Sequence, residues 1–224
     1  QIFIEEGASL HFCSLNASQG PIYIGKDAEV MEGSLVRGPF ALGAKAMLKM
    51  GTKIYGGTSI GVQSKVGGEV NNAIVFSYSN KGHEGFLGNS VIGSWCNIGA
   101  DSNTSNLKNS YEQVRLWDYA QERFAKTGLQ FCGLVMGDHS KCGINTMFNT
   151  GTVIGVSANI FGSGFVKNFV PSFSWGGIQN SQTFKLEKVF ETAAAVMERK
   201  QELLLDLDKD ILKEVFALSA KWRK

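Results

Sequence analysis

His83 is the residue whose type and setting point most directly to acid–base chemistry. It is one of three histidines and lies in residues 80–106, which read NKGHEGFLGNSVIGSWCNIGADSNTSN. An unperturbed imidazole titrates at about pH 6.5, so a histidine can accept a proton from a reacting group at neutral pH. The amides of Asn97 and Asn106 can hydrogen-bond a polar ligand. The alternative is an ordinary loop histidine, with Asn97 stacked in a structural turn and Asn106 in a solvated loop.

The composition predicts a folded domain and excludes two classes of function. Of the 224 residues, 43% are hydrophobic and 19% are charged, which supports a packed core. The net charge is +2, and the sequence has no basic run of the kind that binds nucleic acid. It also has no apolar stretch long enough to span a bilayer. We therefore expect binding to neither nucleic acid nor a membrane.

The four cysteines show no signature of a metal site or a disulfide framework. Cys13, Cys96, Cys132 and Cys142 form no C-x-x-C pair, the spacing that zinc sites favour. His139 and Cys142 could share a metal, but we favour reduced, partly buried thiols and predict no metal site. Reduced thiols predict a cytoplasmic protein.

A repeat of six residues is the main structural signal. Aliphatic residues recur at every sixth position, namely Ile24, Val30, Val36, Leu42, Leu48, Ile54, Ile60 and Val66. Four positions after each of them, from Ala28 onward, most residues are small. Neither the helical period of 3.6 nor the strand period of 2 explains this spacing. It predicts a triangular solenoid with a short strand on each side, turns at the corners and coils about 4.8 Å apart. Many of the 27 glycines suit such turns.

The repeat returns after two interruptions. It places Phe86, Ile92 and Ile98 inside the coil. It then resumes at Met136, Cys142, Phe148, Ile154, Ile160 and Val166. Residues 71–85 and 101–133 lack the period. Insertions leave a solenoid through its corners and often form the binding face, so we expect His83 at a corner beside the site.

The tail changes to a helical period. Leu186, Val189, Phe190, Ala193 and Met197 recur on one helical face, and Asp208 is the predicted N-cap of a second helix. The predicted architecture is therefore an all-β solenoid with C-terminal α-helices. Residues 1–180 form the β-helix, with an inserted loop at about 101–133, and residues 181–224 form a helical cap. We expect the cap to cover the open edge of the last coil, rather than to recruit a partner as a coiled coil.

The hexapeptide repeat together with GHEGFLGNSVIGSWCNIGA resembles the acetyltransferase half of bifunctional sugar-1-phosphate enzymes. These nucleotidyltransferase/glucosamine-1-phosphate N-acetyltransferase-like proteins make UDP-N-acetylglucosamine. The resemblance covers about residues 20–170. It implies a left-handed parallel β-helix, a homotrimer, acetyl-CoA as cofactor and an amino-sugar phosphate as substrate. It also implies that a longer protein carries a nucleotidyltransferase domain before this chain, which begins at Gln1 without a methionine.

The resemblance implies roles for individual residues. His83 falls on the family's catalytic base. The implied substrate-binding residues are Arg37, Glu69, Phe86, Asn97 and Asn106, and Ala100 falls on a residue that lines the acetyl-CoA groove. Lys108 is a further candidate for the substrate, and His139 and Ser140 are further candidates for the cofactor. For His139 the alternative that we favour is a turn residue at the start of a coil. In such a site the histidine removes a proton from an amine that attacks a thioester, and a backbone N–H or an asparagine amide stabilises the oxyanion. Direct transfer of this kind needs no serine or cysteine nucleophile.

Two positions depart from the family pattern. Phe86 stands where the family has a tyrosine, and Asn71 stands where it has a phosphate-binding lysine, for which Lys65 or Lys81 could substitute. The leading hypothesis is an enzyme, an acyl-CoA-dependent transferase of nucleotide-sugar biosynthesis. The alternative is a non-catalytic β-helix that trimerises or regulates a sugar-phosphate nucleotidyltransferase. A carbonic anhydrase type of hexapeptide protein would need a three-histidine metal site, and His11 lies outside the clear repeat.

Overall fold

The chain forms a solenoid of parallel β-strands with three faces. The computed structural model describes residues 1–178 and 181–223. Successive strands along the chain belong to successive faces, and strands of one face pair in parallel from coil to coil. We number the coils 1 to 9 by their strands on the first face. The predicted fold class, a left-handed parallel β-helix followed by C-terminal α-helices, is confirmed.

The strands of each face are two to four residues long. On the first face they are Ile2–Ile4, Ile22–Ile24, Phe40–Leu42, Thr58–Ile60, Ile74–Val75, Val91–Ile92, Leu134–Met136, Thr152–Ile154 and Phe169–Val170. On the second face they are Ser9–Leu10, Glu29–Val30, Met47–Leu48, Lys65–Val66, Asn80–Lys81, Asn97–Ile98, Lys141–Cys142, Asn159–Phe161 and Ser174–Gly177. On the third face they are Ser14–Asn16, Leu35–Arg37, Lys53–Ile54, Glu69–Asn71, Phe86–Gly88, Asn103–Thr104, Met147–Phe148 and Phe165–Val166.

The core is formed by the repeat, with one correction. All eight aliphatic residues from Ile24 to Val66 are buried, as are Ile92, Ile98 and the six predicted positions from Met136 to Val166. Phe86, however, is not inside the coil, because the register pairs Val70 with Leu87 and Leu87 is only 1% exposed. The inward positions Val70 and Val75 are five residues apart, and so are Leu87 and Ile92. Residues 71–85 are therefore a regular coil with a shortened corner.

The corner between the first and second faces is a column of residues with positive φ. Its members are Asp27, Lys45, Gln63, Tyr78, Trp95, His139, Ser157 and Phe173. The residue that comes after each member of this column is small, and where it is a serine its hydroxyl can hydrogen-bond the next coil. Ser79 Oγ, for example, donates to Gly93 O at 2.6 Å and accepts from Cys96 N at 2.9 Å. Serine at this phase therefore satisfies two backbone groups, whereas alanine, as at Ala28 and Ala46, only fills the space.

The insertion begins later than predicted. Strand Asn103–Thr104 still belongs to coil 6, so the inserted segment is 105–133 rather than 101–133. It contains an antiparallel hairpin, Arg115–Asp118 with Arg123–Lys126. Trp117 stacks on Phe169 of coil 9, with ring centroids 4.2 Å apart, so the hairpin folds back over the first face of its own chain.

The C-terminal helices run along the solenoid rather than only over its end. Helix α1 is Leu186–Glu198, helix α2 is Asp206–Leu218, and a 3₁₀ turn spans Ala220–Trp222. Val189 and Leu212 pack on Phe173 of coil 9. Beyond α1, Lys200 Nζ donates to Gln63 O at 2.8 Å in coil 4. The helices therefore cover the positive-φ corner from coil 9 back to coil 4, and strand Ser181–Thr183 pairs with the last strand of the second face.

The start of α2 also differs from the prediction. The helix begins at Asp206, and Asp208 is in its first turn instead of at the N-cap. The Asp208 carboxylate accepts a hydrogen bond from Leu205 N at 2.9 Å, which satisfies a backbone donor at the helix start. Within the described residues, no helix is long and apolar enough to cross a membrane.

Candidate active-site corner

His83 lies at the corner that joins the second and third faces of coil 5. Four residues, 82–85, connect strand Asn80–Lys81 to strand Phe86–Gly88. The His83 side chain is exposed, and none of the described residues hydrogen-bonds its imidazole. The next residue, Glu84, places a carboxylate oxygen 3.6 Å from Lys53 Nζ. An exposed imidazole at a fixed corner is available to exchange a proton with a bound ligand.

Gly85 fixes the path of this corner. Its φ is 117°, in a region that side-chain-bearing residues rarely adopt, and a Cβ there would lie 2.2 Å from Ser102 O. The Asp101 N–H of the next coil also donates to Glu84 O at 3.0 Å. The corner is therefore pressed directly against coil 6, where only glycine fits.

The parallel ladder of the third face is interrupted beside His83. Phe86 N donates to the side-chain oxygen of Asn103 at 2.8 Å, and Gly88 N donates to Thr104 Oγ1 at 3.1 Å. Side chains of coil 6 thus replace the backbone carbonyls that pair with strands elsewhere on this face. The composition of the inserted loop drew attention away from Asn103, which belongs to the coil. The regular six-residue step from Ile98 to Thr104 is the signal that would have identified it.

Phe86, Asn106 and Glu69 lie together on the third face, next to the His83 corner. Phe86 pairs with Glu69 in the strand register. A Cβ on Gly88 would lie 2.4 Å from Phe86 Cζ and 2.7 Å from Asn106 Nδ2, so the phenyl ring lies over the glycine. Asn106 Nδ2 also donates to Asn89 Oδ1 at 2.7 Å, which holds the start of the insertion against coil 5.

Arg37 is not part of this group. It lies in coil 2, three coils from His83, which corresponds to about 14 Å along the solenoid at the usual strand spacing. With Ser14, Asn16, Lys53 and Tyr55 it lines a depression of about 260 Å³ on the third face. Two cationic side chains therefore share one shallow site, and Lys53 connects that site to Glu84.

The remaining predicted residues are distributed around the corner. Ala100 lies in the equivalent corner one coil further on, and its carbonyl accepts from Asn145 N at 2.8 Å. Asn97 points outward from the second face, in register with Asn80 and Lys141. Lys108 belongs to the insertion, where its Nζ is 3.8 Å from a Glu112 carboxylate oxygen.

His139 and Ser140 lie at the corner between the first and second faces of coil 7, a different corner from that of His83. Ser140 is fully buried, and its Oγ donates to Gly155 O at 2.6 Å and accepts from Ala158 N at 2.9 Å. His139 stacks on Trp95, with ring centroids 6.2 Å apart, and burial lowers its pKa to about 4. Both residues contact adjacent coils. The C-terminal helices cover the column of corners to which they belong.

Lys81 does not replace the missing phosphate-binding lysine. It is 3% exposed, and its Nζ donates to Gly67 O at 2.8 Å and to His83 O at 2.7 Å. Desolvation lowers the pKa of this ammonium to about 8. Lys65, the other candidate, points outward from the second face of coil 4 rather than from the third.

The described residues contain no cluster of three or more metal-ligating side chains. The four cysteines are free, and three of them are buried. Burial raises the pKa of Cys96 to about 12 and also raises the pKa of Cys142. These buried thiols are poor nucleophiles, because the thiolate is the reactive form.

The sequence is similar to curated proteins that are described as acetyltransferases. No family model matches the sequence. An uncharacterized acetyltransferase YaiX of Escherichia coli O6:K15:H31 (strain 536 / UPEC) is 25% identical over 164 residues, which cover 70% of this chain and 69% of YaiX. A point mutant of the Bacillus cereus N-acyltransferase AntD, solved in complex with dTDP and coenzyme A, aligns over 87% of this chain and 92% of AntD. The identity is 12% and the TM-score is 0.34.

The particular relationship to bifunctional sugar-phosphate enzymes also appears in the sequence comparison. The bifunctional protein GlmU of Methanococcus aeolicus is 27% identical over 130 residues, which cover 58% of this chain. This stretch is 30% of the GlmU sequence, so the chain matches less than a third of that relative. The resemblance inferred from the repeat and the histidine motif is confirmed.

Proposed function

We propose that this chain is an acyl-CoA-dependent N-acyltransferase in which His83 is the general base. The observation that carries the proposal is the exposed imidazole at a corner of coil 5, beside Glu69, Phe86 and Asn106. Parallel strands and the tight contact at Gly85 hold this corner in place, which preorganises the base. The acetyltransferase relatives support an acyl-CoA donor, and we propose acetyl-CoA, with Ala100 near its path.

The proposed reaction is a direct transfer. The acceptor amine attacks the thioester carbonyl carbon, His83 takes the proton from the nitrogen, a C–N bond forms and the C–S bond breaks. The leaving thiolate of coenzyme A then receives a proton. The buried, high-pKa cysteines 96 and 142 support direct attack rather than an acyl-enzyme.

We propose an amino sugar that carries phosphate as the acceptor, in nucleotide-sugar biosynthesis. Glu69, Phe86, Asn97, Asn106 and Lys108 remain the candidate contacts for the sugar. Two cationic side chains lie on the same third face. Lys53 Nζ lies 3.6 Å from a carboxylate oxygen of Glu84 beside His83, whereas Arg37 lies about 14 Å from coil 5 when measured along the strand spacing. That separation favours an acceptor longer than a sugar monophosphate, such as a nucleotide sugar, over glucosamine 1-phosphate.

A homotrimer is the proposed assembly, and an apolar stripe on the first face is its proposed interface. The stripe consists of Phe3, Tyr23, Ala41, Ile74 and Val91, which occupy one outward register on coils 1–3, 5 and 6. Four of the five are more than a third exposed, and the hairpin covers the equivalent position at Phe169 of coil 9. In coil 4 the same register contains Ser59, between the two apolar parts of the stripe. Exposed apolar surface of this kind is typical of an interface. Mass measurement in solution, with Ile74→Asp as the disrupting variant, tests the assembly.

An acyl-transfer assay tests the proposed function. The purified chain is incubated with acetyl-CoA and a panel of amino-sugar phosphates and nucleotide sugars, and thiol release is followed. We expect turnover that is lost in His83→Asn and retained in His11→Asn, because His11 is an exposed histidine of coil 1. Absence of turnover in an assembled protein that also fails to bind acetyl-CoA would reject the proposal.

The second candidate function is a non-catalytic β-helix that trimerises or regulates a nucleotidyltransferase domain on the same polypeptide. The position of Phe86 favours it, since the ring offers a sugar no hydroxyl and lies over Gly88. Nucleotidyl transfer by a longer protein that changes when the β-helix is disrupted, together with no acyl transfer, would support this candidate. Four unpaired cysteines suit the reducing cytoplasm, the location we propose for either function.

A further inference from the structure

Lys81 occupies a position that other coils give to an apolar residue. The register pairs Val66 with Lys81, so this lysine belongs to the inward column of the second face, between Val66 and Ile98. The same column contains Leu48 and Ile160, which are fully buried. An ammonium in such a column is costly to desolvate, and its retention calls for a role other than packing.

The Lys81 ammonium crosses from the core to the corner that carries His83. Nζ donates to Gly67 O at 2.8 Å in coil 4 and to His83 O at 2.7 Å in its own coil. Gly68 leaves the space for it, because a Cβ there would lie 2.9 Å from Nζ and 2.8 Å from Gly85 O. The ammonium thus links the Gly67 carbonyl of coil 4 to the backbone carbonyl of His83, the candidate base, in coil 5.

This bond is the only hydrogen bond to the His83 backbone carbonyl among the described residues. The neighbouring carbonyls of the corner have other donors: Asp101 N of coil 6 donates to Glu84 O at 3.0 Å, and Glu69 N of coil 4 donates to Gly85 O at 3.3 Å. Without the ammonium, the Gly67 and His83 carbonyls would lose a charge-assisted donor, and no hydrogen bond from the described residues would remain to the His83 carbonyl itself.

We propose that Lys81 is a positioning residue that holds the His83 corner for proton transfer. The inference rests on the proposed acyl transfer, in which the imidazole must stay aligned with the acceptor amine. Lys81 is buried and acts through the backbone, so it does not contact the substrate. A one-ångström displacement of a general base is enough to lower the rate substantially.

The same geometry predicts a dependence on alkaline pH. The charged groups that act on Lys81 are Glu84 and Asp101, which favour the ammonium, and Lys53, which opposes it. Desolvation is the largest effect and brings the pKa to about 8. Above this pH the charge-assisted bonds weaken, and the corner loosens while the rest of the solenoid remains folded.

The kinetic test compares Lys81→Met with Lys141→Met. Methionine fills the apolar column but donates no hydrogen bond. Lys141 is the matched control, because its Nζ donates to the carbonyl two residues away, His139 O, at 3.0 Å but at a different corner. We expect Lys81→Met to lower kcat about tenfold or more with KM for acetyl-CoA unchanged, and to remove the fall in rate above about pH 8. Equal kcat and an unchanged pH profile in both variants would overturn the proposal.

A second measurement needs neither activity nor a variant that folds. In the wild-type chain, the Lys81 side-chain carbon resonance and the backbone amide resonances of residues 82–85 are followed by NMR from pH 6.5 to 10. We expect them to titrate together, with amide protection at the corner lost over the same range. Independent titration, or a corner that does not respond, contradicts the positioning role. Coupled titration in a chain without acyl transfer would instead retain Lys81 as the holder of this corner and reject the proposed function.

Discussion

Two histidines at two corners of the same solenoid have opposite environments. His83 joins the second and third faces of coil 5, and its imidazole is exposed. His139 joins the first and second faces of coil 7, stacked on Trp95 with a buried Nδ1 that has no partner among the described residues. Both follow a glycine within two residues in the sequence, as KGHEG and MGDHS.

The difference lies in what surrounds each corner. The His139 column contains Tyr78, Trp95 and Phe173, and the C-terminal helices cover it. The His83 corner contains glycines, and coil 6 contacts it through backbone atoms. Desolvation at the His139 corner keeps that imidazole neutral. The imidazole at the His83 corner is exposed and can meet a ligand. Burial therefore distinguishes a packing histidine from a candidate base.

The largest expected effect is on catalysis. We expect His83→Asn to lower the acyl-transfer rate by about 10²–10⁴-fold, because the amine loses its proton acceptor. His139→Phe should stay within a few-fold of wild type, since Phe173 already occupies the equivalent corner of coil 9 with φ 58°. Initial rates of thiol release measure both. Equal losses in the two variants would remove the distinction between the corners.

Two glycines that flank His83 provide the next comparison. Gly85→Ala places a Cβ against Ser102 O at a φ of 117°, so we expect a destabilisation of roughly 2–3 kcal/mol. Gly82→Ala meets nothing within 4 Å and should change the free energy of unfolding by less than about 0.5 kcal/mol. Urea unfolding with an unchanged m-value gives both numbers. Similar values would show that this corner is not held tightly.

Acid should destabilise the protein through protonation of His139. The folded-state pKa of His139 is lowered from 6.5 to about 4, chiefly by burial. Its contribution to stability is therefore fully present above pH 6.5 and is lost as the pH falls towards 4, by at most about 3 kcal/mol. We expect the Tm of wild type to fall more steeply than that of His139→Phe over this range. Parallel curves would mean that another group controls the acid transition.

The smallest expected effect concerns the acceptor. Phe86→Tyr adds a hydroxyl to a ring on the third face, next to the His83 corner. If the acceptor is an amino sugar, the new hydrogen bond should lower its KM about two- to tenfold with little change in kcat. Initial rates at varied acceptor concentration test this. A fall in kcat alone would indicate that the ring positions the base instead.

The sequence predicted the scaffold well because the inward position of each side depends on a local rule. Each third of a turn places one residue inside the coil, and this residue is usually apolar, as at Ile54 and Ile154. Spacing alone therefore identifies most of these positions. The prediction failed at Phe86, where a corner one residue shorter moved the inward position to Leu87. A fixed period cannot detect such a deletion, since the rest of the pattern continues in a new phase.

The candidate site was only partly predictable. The motif pointed to His83, Phe86 and Asn106, which are close in sequence. The first two lie in coil 5, and Asn106 begins the insertion and contacts coil 5 through Asn89. The structure places His139 and Ser140 at a different corner from His83, beneath the C-terminal helices, which a residue number does not show. Lys81 was one of two candidates for the missing phosphate-binding lysine. Its burial was not predicted, because a charged residue in an apolar column breaks the pattern that would have located it.

By itself, the sequence determined the triangular solenoid, most of its inward residues and the position of His83 at a corner. These follow from chain geometry and from the hydrophobic spacing, which act over a few residues. Only the tertiary structure decided which histidine is exposed, where the helices lie and which carbonyls hold the Lys81 ammonium. Burial and hydrogen bonding at those sites come from residues on different coils, which the order of the sequence does not bring together.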